Sequence, residues 1–201
     1  MTSNFNQLTK ATYEQGVQRY IDSTPTQVVG NDYQPFLDTF ASLVGDGAVL
    51  EVGSAVGRDA AYLEERGVNI RRSDYAESFV HYLEQQGYTA LRFDVINDQL
   101  DQKFVGIIAN AVFLHFTLEE CEQALENVQR HLLPNGYFAI SVKAGKGEEV
   151  TRAKMDSPRY FKYWQPDELE AVLKAHDFTV LHTFRPDNGK WIQFITQSTR
   201  E

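Results

Sequence analysis

The stretch VLEVGSAVGRDA, residues 49–60, joins an apolar run to an acid, Glu51, and to two glycines four positions apart, Gly53 and Gly57. A glycine turn between a strand and a helix brings backbone N–H groups close to a ligand, and a pyrophosphate turn of this kind needs G-x-G-x-x-G. Here Ala55, flanked by Ser54 and Val56, stands where the second glycine would be, and Arg58 where the third would be. The Gly-Lys-Ser/Thr ending of a nucleoside triphosphate loop is absent as well. Glu51, at the end of the apolar run, is expected to point at whatever sits over the turn, where a carboxylate repels phosphate and attracts a cation. A ligand with an ammonium group and no phosphate suits these residues best. The Ala55 methyl is expected to crowd that ligand or to resist the positive φ a glycine would adopt freely.

Other residues with reactive chemistry are more scattered. His81, His131, His176 and His182 lack the paired helical spacing of a metal site, and no metal is expected. Cys121 falls on an apolar helix face and reads as core.

These residues need elements to hold them in place, and the chain alternates short apolar runs with amphipathic stretches. Residues 48–52 read as a buried strand and 58–67 as a helix stopped by Gly67; residues 68–73 follow as a strand and 77–87 as a second glycine-stopped helix. Strands are expected at 88–93 and from 104 toward 113. The spacing of Thr117 and Glu120 predicts a capping box opening a helix over 117–132, with Leu118, Cys121, Leu125, Val128 and Leu132 on one face. The sequence PNG (134–136) is expected to turn the chain into a fifth strand, 137–143. This alternation predicts an α/β fold, a mostly parallel sheet with helices on both faces. Ligands of such sheets bind beyond the carboxyl ends of the strands. That places residues 51–58, 74–75, 94–95, 110–115 and 143–163 on one rim. The segment 144–165 is long, charged and aromatic, and reads as a lid or binding loop. A helix from 166 and two apolar runs, 178–185 and 190–197, joined at the turn PDNG, predict an antiparallel C-terminal hairpin.

The chain has 201 residues, 42% hydrophobic and 23% charged, which suits one globular domain. Its expected parts are a helical cap over 1–45, a core over 46–143, the loop over 144–165 and a C-terminal helix and hairpin over 166–201. There is no internal repeat. Nineteen basic and 28 acidic side chains leave a net charge of −9, which repels nucleic-acid backbones. The single cysteine suits a reducing compartment. No apolar stretch of about 20 residues is present to span a bilayer, and the first ten residues lack a secretory core. No membrane partner is therefore expected, and the cytoplasm is the expected location.

S-adenosylmethionine is a ligand of the expected kind, with an ammonium, a sulfonium and no phosphate. The motif E-x-G-x-x-x-G after the first strand resembles the first motif of the class I S-adenosylmethionine-dependent methyltransferases, and further motifs follow in order. RRSDYAES carries Asp74 and Tyr75, LRFDV carries Asp94 and Val95, FVGIIANAVFLHF carries Asn110, Ala111 and Val112, and LLPNGYFAISVK resembles the family's fifth strand. GRDAAYLEERG, ANAVFLH and the segment from SVKAGKGEE to RYFKYW are similar to a bacterial small-molecule branch of the tellurite-resistance type. The resemblance covers residues 11–198. It implies a Rossmann-like seven-stranded sheet in the order 3-2-1-4-5-7-6, S-adenosylmethionine as cofactor and S-adenosylhomocysteine as product.

By the same resemblance Glu51, Gly53, Ser54, Ala55, Gly57 and Arg58 hold the cofactor at the first turn. Asp74 with Tyr75 meets the ribose, and Asp94 with Val95 meets the adenine. Asn110, Ala111 and Val112 line the methionine end, and Tyr13 and Tyr20 close over it from the N-terminal segment. Two departures stand out: Ala55 replaces a glycine, and Val105-Gly106 stands where the family commonly has an aspartate.

Methyl transfer to a small-molecule acceptor is an in-line displacement, which asks chiefly for alignment. A base is needed only for an acceptor that carries a proton; His115, at the rim after the fourth strand, is the candidate. It reads equally well as a residue packing on or capping the next helix. Lys143, Arg159, Tyr160 and Tyr163 are candidates for the acceptor pocket, or anchors of a solvated loop; Lys143 and Arg159 together would suit an anionic acceptor. The prolines of the N-P-P-Y and D-P-P-Y motifs of amino-group methylation are absent from NAVF, residues 110–113. Two other readings stay open: a module that binds S-adenosylmethionine without chemistry, and an NAD(P)-dependent oxidoreductase.

Overall fold

The computed structural model of the protein describes residues 4–28, 33–186 and 188–201. Parts of the expected N-terminal cap (1–3 and 29–32) and Asp187 of the PDNG turn lie outside the described residues. The order along the chain is α1 (Asn4–Gln15), α2 (Val17–Asp22), α3 (Gln34–Val44), β1 (Ala48–Val52), α4 (Arg58–Glu64), β2 (Asn69–Asp74), α5 (Glu77–Gln85), β3 (Ala90–Arg92) and β4 (Phe104–Asn110). A short 3-10 turn (Phe113–His115) follows, then α6 (Leu118–His131), β5 (Leu132–Lys143), β6 (Glu148–Thr151), β7 (Arg159–Lys162), α7 (Pro166–Ala175), β8 (Phe178–Phe184) and β9 (Trp191–Ser198).

Seven strands form one sheet in the order β3-β2-β1-β4-β5-β9-β8. The first five are mutually parallel, and β9 runs antiparallel to both β5 and β8. The expected order holds, with the last two strands numbered eight and nine because the segment 144–165 is not a bare loop. It folds into the antiparallel hairpin β6–β7, a correction whose cause is the strand-favouring aromatic pair of RYFK, with Thr151 opposite Arg159 and Glu148 opposite Lys162. A second difference lies at PNG. Strand β5 already begins at Leu132, opposite Phe104, and the register shifts before Gly106 pairs with Tyr137. PNG is thus an irregularity within the strand, with Asn135 at φ 59°, rather than a turn before it.

Period-two alternation sends the two faces of each strand to different helices. Leu50, Val52, Ile107, Phe138 and Ile140 pack with α6 and α7 residues such as Leu125, Val128, Leu169 and Leu173. Val49, Ile70, Ile108 and Ala139 pack on the other face with Phe36, Phe40 and Leu63 of α3 and α4. The predicted box at the start of α6 is present: Thr117 accepts from the Glu120 N–H, and the Glu120 carboxylate accepts from the Thr117 N–H.

Helix α1 lies across the rim. Its Glu14 carboxylate accepts from the N–H groups of Glu77 and Ser78 at 2.8 and 2.9 Å, filling donors that the first turn of α5 leaves open. Thr12 donates to the Pro158 carbonyl at 2.6 Å, and Thr9 accepts from the Tyr160 N–H at 3.0 Å. The N-terminal helix is therefore tied both to the sheet rim and to the β6–β7 hairpin.

Candidate functional site

A cavity of about 1050 Å³ opens at the carboxyl ends of β1, β2, β4 and β5, under α1 and beside β7. Its floor is the glycine turn. The N–H groups of Gly53 and Ser54 both donate to the Ser73 carbonyl, at 2.9 and 2.8 Å, which locks the turn to β2. Gly53 and Gly57 take φ values of 76° and 75°, and Ala55 takes 45°. The expected resistance of Ala55 to positive φ is met by anchoring: its N–H donates to Asp74 Oδ2 at 2.9 Å. Gly53, Ser54, Ala55 and Arg58 line the cavity. Gly57 does not; it starts α4, and a Cβ there would stand 2.7 Å from a Leu83 methyl.

Glu51 requires a correction. Its neighbours Leu50 and Val52 face α6 and α7, so Glu51 points the other way, and at 3% exposure it lies beneath the turn instead of lining the cavity. Its Oε2 has no hydrogen-bond partner among the described residues. Burial, reinforced by the nearby Asp59 carboxylate, pushes its pKa up to about 8. The acid that faces the cavity at this end is Asp59, in the first turn of α4. Asp59 Oδ2 accepts from the Tyr33 hydroxyl at 2.9 Å and from Asn110 Nδ2 at 2.6 Å, and Oδ1 accepts from Arg58 Nε at 2.7 Å. Asn110 is held in turn by the Ser141 hydroxyl. The only local signal for Asp59 was an acid at the start of a helix, a placement common to many helices.

Asp74 closes β2 and lines the cavity. Its carboxylate also accepts from the Ala76 N–H at 2.9 Å, yet burial outweighs these bonds and raises its pKa to about 6. Asp94 lines the same half and closes its own turn, accepting from the Ile96 N–H at 3.0 Å and from Asn97 Nδ2 at 2.8 Å. Tyr75 and Val95 stand beside these acids, and Ala111 (φ 57°) and Val112 border the β4 end. Tyr13 and Tyr20 cover the cavity from α1 and α2, edge to face with each other at 5.6 Å.

At the β5 end His115 sits in a chain of hydrogen bonds. Its Nδ1 lies 2.7 Å from the Tyr160 carbonyl, which can only accept, so Nδ1 carries the proton. Nε2 therefore accepts from the Tyr13 hydroxyl at 2.9 Å, and that hydroxyl accepts from Arg159 Nη1 at 2.9 Å. Burial, then the positive charges of Arg159 and Lys143, push the His115 pKa down to about 3. The imidazole is neutral at physiological pH, and its basic nitrogen is occupied by Tyr13. A proton taken up there would sit beside two cations.

Of the four candidates for an acceptor pocket, Lys143, Arg159 and Tyr163 line the cavity. Tyr160 does not, because alternation along β7 turns it to the opposite side, where it stacks on Phe5 at 4.9 Å. Phe161 takes the inward place, between Lys143 Nζ at 4.2 Å and Arg159 Cζ at 4.9 Å from its ring centre. Reading 159–162 as a strand would have made this exchange visible. Lys154, which sequence reasoning missed, lines the cavity as well.

A family model described as a methyltransferase domain matches residues 28–183. A probable S-adenosyl-L-methionine-dependent methyltransferase, TehB, from Haemophilus influenzae strain 10810 is 23% identical over 139 residues, 62% of this chain and 48% of that protein. The chain thus spans about half the length of the curated relatives it matches. Among solved structures, the 1,6-didemethyltoxoflavin-N1-methyltransferase of Burkholderia thailandensis superposes with a TM-score of 0.72 at 20% identity, over 94% of this chain and 85% of the other. The CcbJ methyltransferase of Streptomyces caelestis gives 0.74 at 14% identity, over 95% and 99%. Magnesium protoporphyrin IX methyltransferase of Synechocystis gives 0.70 at 15% identity, over 96% and 99%. With its sheet order and the match over most of its length, the chain belongs to the methyltransferase-domain family.

Proposed function

We propose that the protein transfers a methyl group from S-adenosylmethionine to a small-molecule acceptor by in-line displacement in this cavity. The observation that carries the reading is the row of carboxylates along the cofactor half: Asp59, Asp74 and Asp94 all line it. Three acids repel a pyrophosphate and suit a ligand bearing an ammonium, hydroxyls and an amine. When bound, S-adenosylmethionine supplies a methyl carbon activated by a sulfonium.

The chain's own residues hold and orient. Asp74 is placed for the ribose hydroxyls; two of its lone pairs are taken by backbone amides, and a carboxylate has about four acceptor sites. Asp94 and Val95 serve the adenine side, Tyr75 flanks the ribose, and Asp59 with Asn110 serves the ammonium end. Asp59 takes the role that sequence reasoning gave to Glu51. Tyr13 and Tyr20 exclude water from above. Since His115 is neutral and capped by Tyr13, alignment is the main contribution expected of the acceptor end, and alignment can be worth about 7–11 kcal/mol. A small acceptor fits a cavity of this size. Two of the similar structures are, by name, methyltransferases for a toxoflavin precursor and for a magnesium porphyrin. The non-catalytic reading rested on Ala55, and the turn closes with alanine in the left-handed region.

Calorimetry with S-adenosylmethionine and NAD tests the cofactor half. We expect S-adenosylmethionine to bind more tightly, and Asp74→Ala to weaken it several-fold; tighter binding of NAD, or an unchanged affinity in the variant, overturns the assignment. Turnover of labelled methyl donor against a panel of small acceptors tests the chemistry, and tight product binding with no turnover across the panel would favour the non-catalytic reading.

A further inference from the structure

Charge is distributed unevenly along the cavity. The carboxylates gather over β1–β3, while Lys143, Lys154 and Arg159 gather at the β5–β7 end. In a chain with a net charge of −9, such a cluster does not follow from composition. Arg58, also in the cavity, is paired with Asp59 at 2.7 Å. The other three differ: among the described residues no carboxylate oxygen lies within 4.0 Å of Lys143 Nζ, Lys154 Nζ or the Arg159 guanidinium.

Their contacts are neutral. Arg159 donates to the Tyr13 hydroxyl at 2.9 Å and to the Ala153 carbonyl at 2.6 Å, while its buried Nε has no hydrogen-bond partner among the described residues. Lys154 donates to the Thr24 hydroxyl at 2.8 Å and stands 4.1 Å over the Tyr20 ring. Lys143 stands over the Phe161 ring. Glu149 also lines the cavity; its charge acts on Lys143 without an ion pair, and it accepts from the Tyr163 hydroxyl. Burial and the charge of Arg159 both lower the pKa of Lys143 and Lys154. Arg159 is buried and Lys143 half-buried, and cations held together without an ion-pair partner are relieved by an anion.

We propose that the β5–β7 end of the cavity binds the carboxylate of a small organic acid, seated against Lys143 and Arg159 with Lys154 adding charge from above. This deepens the methyltransferase reading and rests on it for the identity of the bound acid as acceptor. Arginine presents a planar fork that matches a carboxylate, and lysine adds a point charge. The anion would also screen the two cations that disfavour a proton on His115.

Matched acid and amide pairs test the assignment: benzoate against benzamide, and hexanoate against hexanamide, by calorimetry, each with the free protein and with protein saturated in S-adenosylhomocysteine. We expect each acid to bind at least about tenfold more tightly than its amide. Lys143→Gln should lower benzoate affinity by a factor on the order of ten without changing that for S-adenosylhomocysteine. Arg159→Lys, which keeps the charge and loses the fork, should cost less than Arg159→Met. Equal binding of acids and amides, failure of both acids to bind in both states, or inorganic phosphate binding more tightly than benzoate overturns the proposal. Failure of S-adenosylhomocysteine to bind overturns the cofactor reading instead, and the acid preference of the free protein is read independently of it.

Discussion

Replacing Ala55 with glycine separates the cost of a left-handed alanine from the demands of the ligand. Ala55 sits at φ 45° in the turn between β1 and α4, where an L residue with a Cβ costs about 1–2 kcal/mol. The bonds that hold the turn are made by backbone atoms: Ala55 N–H to Asp74, and Gly57 N–H to the Ser54 carbonyl at 2.7 Å. They survive the substitution. Glycine also gains freedom in the unfolded chain, which offsets about 0.4–1 kcal/mol. A net gain of about 0.5–1 kcal/mol remains. For a chain of this length, about 2–4 °C in melting temperature accompanies each kcal/mol, so Ala55→Gly should melt about 1–4 °C higher. Scanning calorimetry without ligand measures it. Gly53→Ala is the control in the other direction: φ is 76° there and a Cβ would stand 2.5 Å from a Val112 methyl, so the melting temperature should fall. If Ala55→Gly melts at or below the parent, the turn is not strained at Ala55. S-adenosylhomocysteine affinity measured on the same variant shows whether the methyl also crowds the cofactor.

Two further outcomes follow from buried ionisable groups. The Glu51 pKa is raised in the folded state, from 4.5 to about 8, so its contribution to stability is complete in acid and is lost as pH rises through that window. Glu51→Gln should therefore flatten the decline in melting temperature between about pH 4.5 and 8; an identical decline in parent and variant would refute the buried neutral carboxyl. His115 behaves in the opposite sense: its folded pKa is lowered from 6.5 to about 3, so its contribution is complete above 6.5 and is lost as pH falls. The ring-proton shifts of His115, followed by NMR, should stay constant from pH 8 down to pH 5, and a midpoint near 6.5 would show the imidazole to be solvated.

Much of this protein is legible locally. Strand β1 was readable to the residue, because AVLEV is an apolar run ended by a glycine turn, and the start of α6 was readable because a capping box is made by residues three apart. The parallel α/β class followed from the alternation of strands and helices, the strand order from the family resemblance, and the antiparallel finish from two runs joined by a short turn. The glycine turn, Asp74 and Asp94 could be placed on the rim because strand ends define it. Errors arose where the facing direction mattered. Glu51 was given the cavity and Asp59 was passed over; Tyr160 was given the pocket that Phe161 lines.

Sequence alone determined the fold class, the rim and the type of turn, since these depend on periodicity and on residues within a few positions of each other. Only the tertiary structure decided which carboxylate is presented, that Tyr13 occupies the basic nitrogen of His115, and that three cations meet without an ion-pair partner among the described residues. The reason is distance along the chain: Arg159 and Tyr13 are 146 positions apart, and Tyr13 and His115 are 102 apart. Periodicity tells which residues share a face, whereas what that face meets is set by packing between segments from opposite ends of the chain.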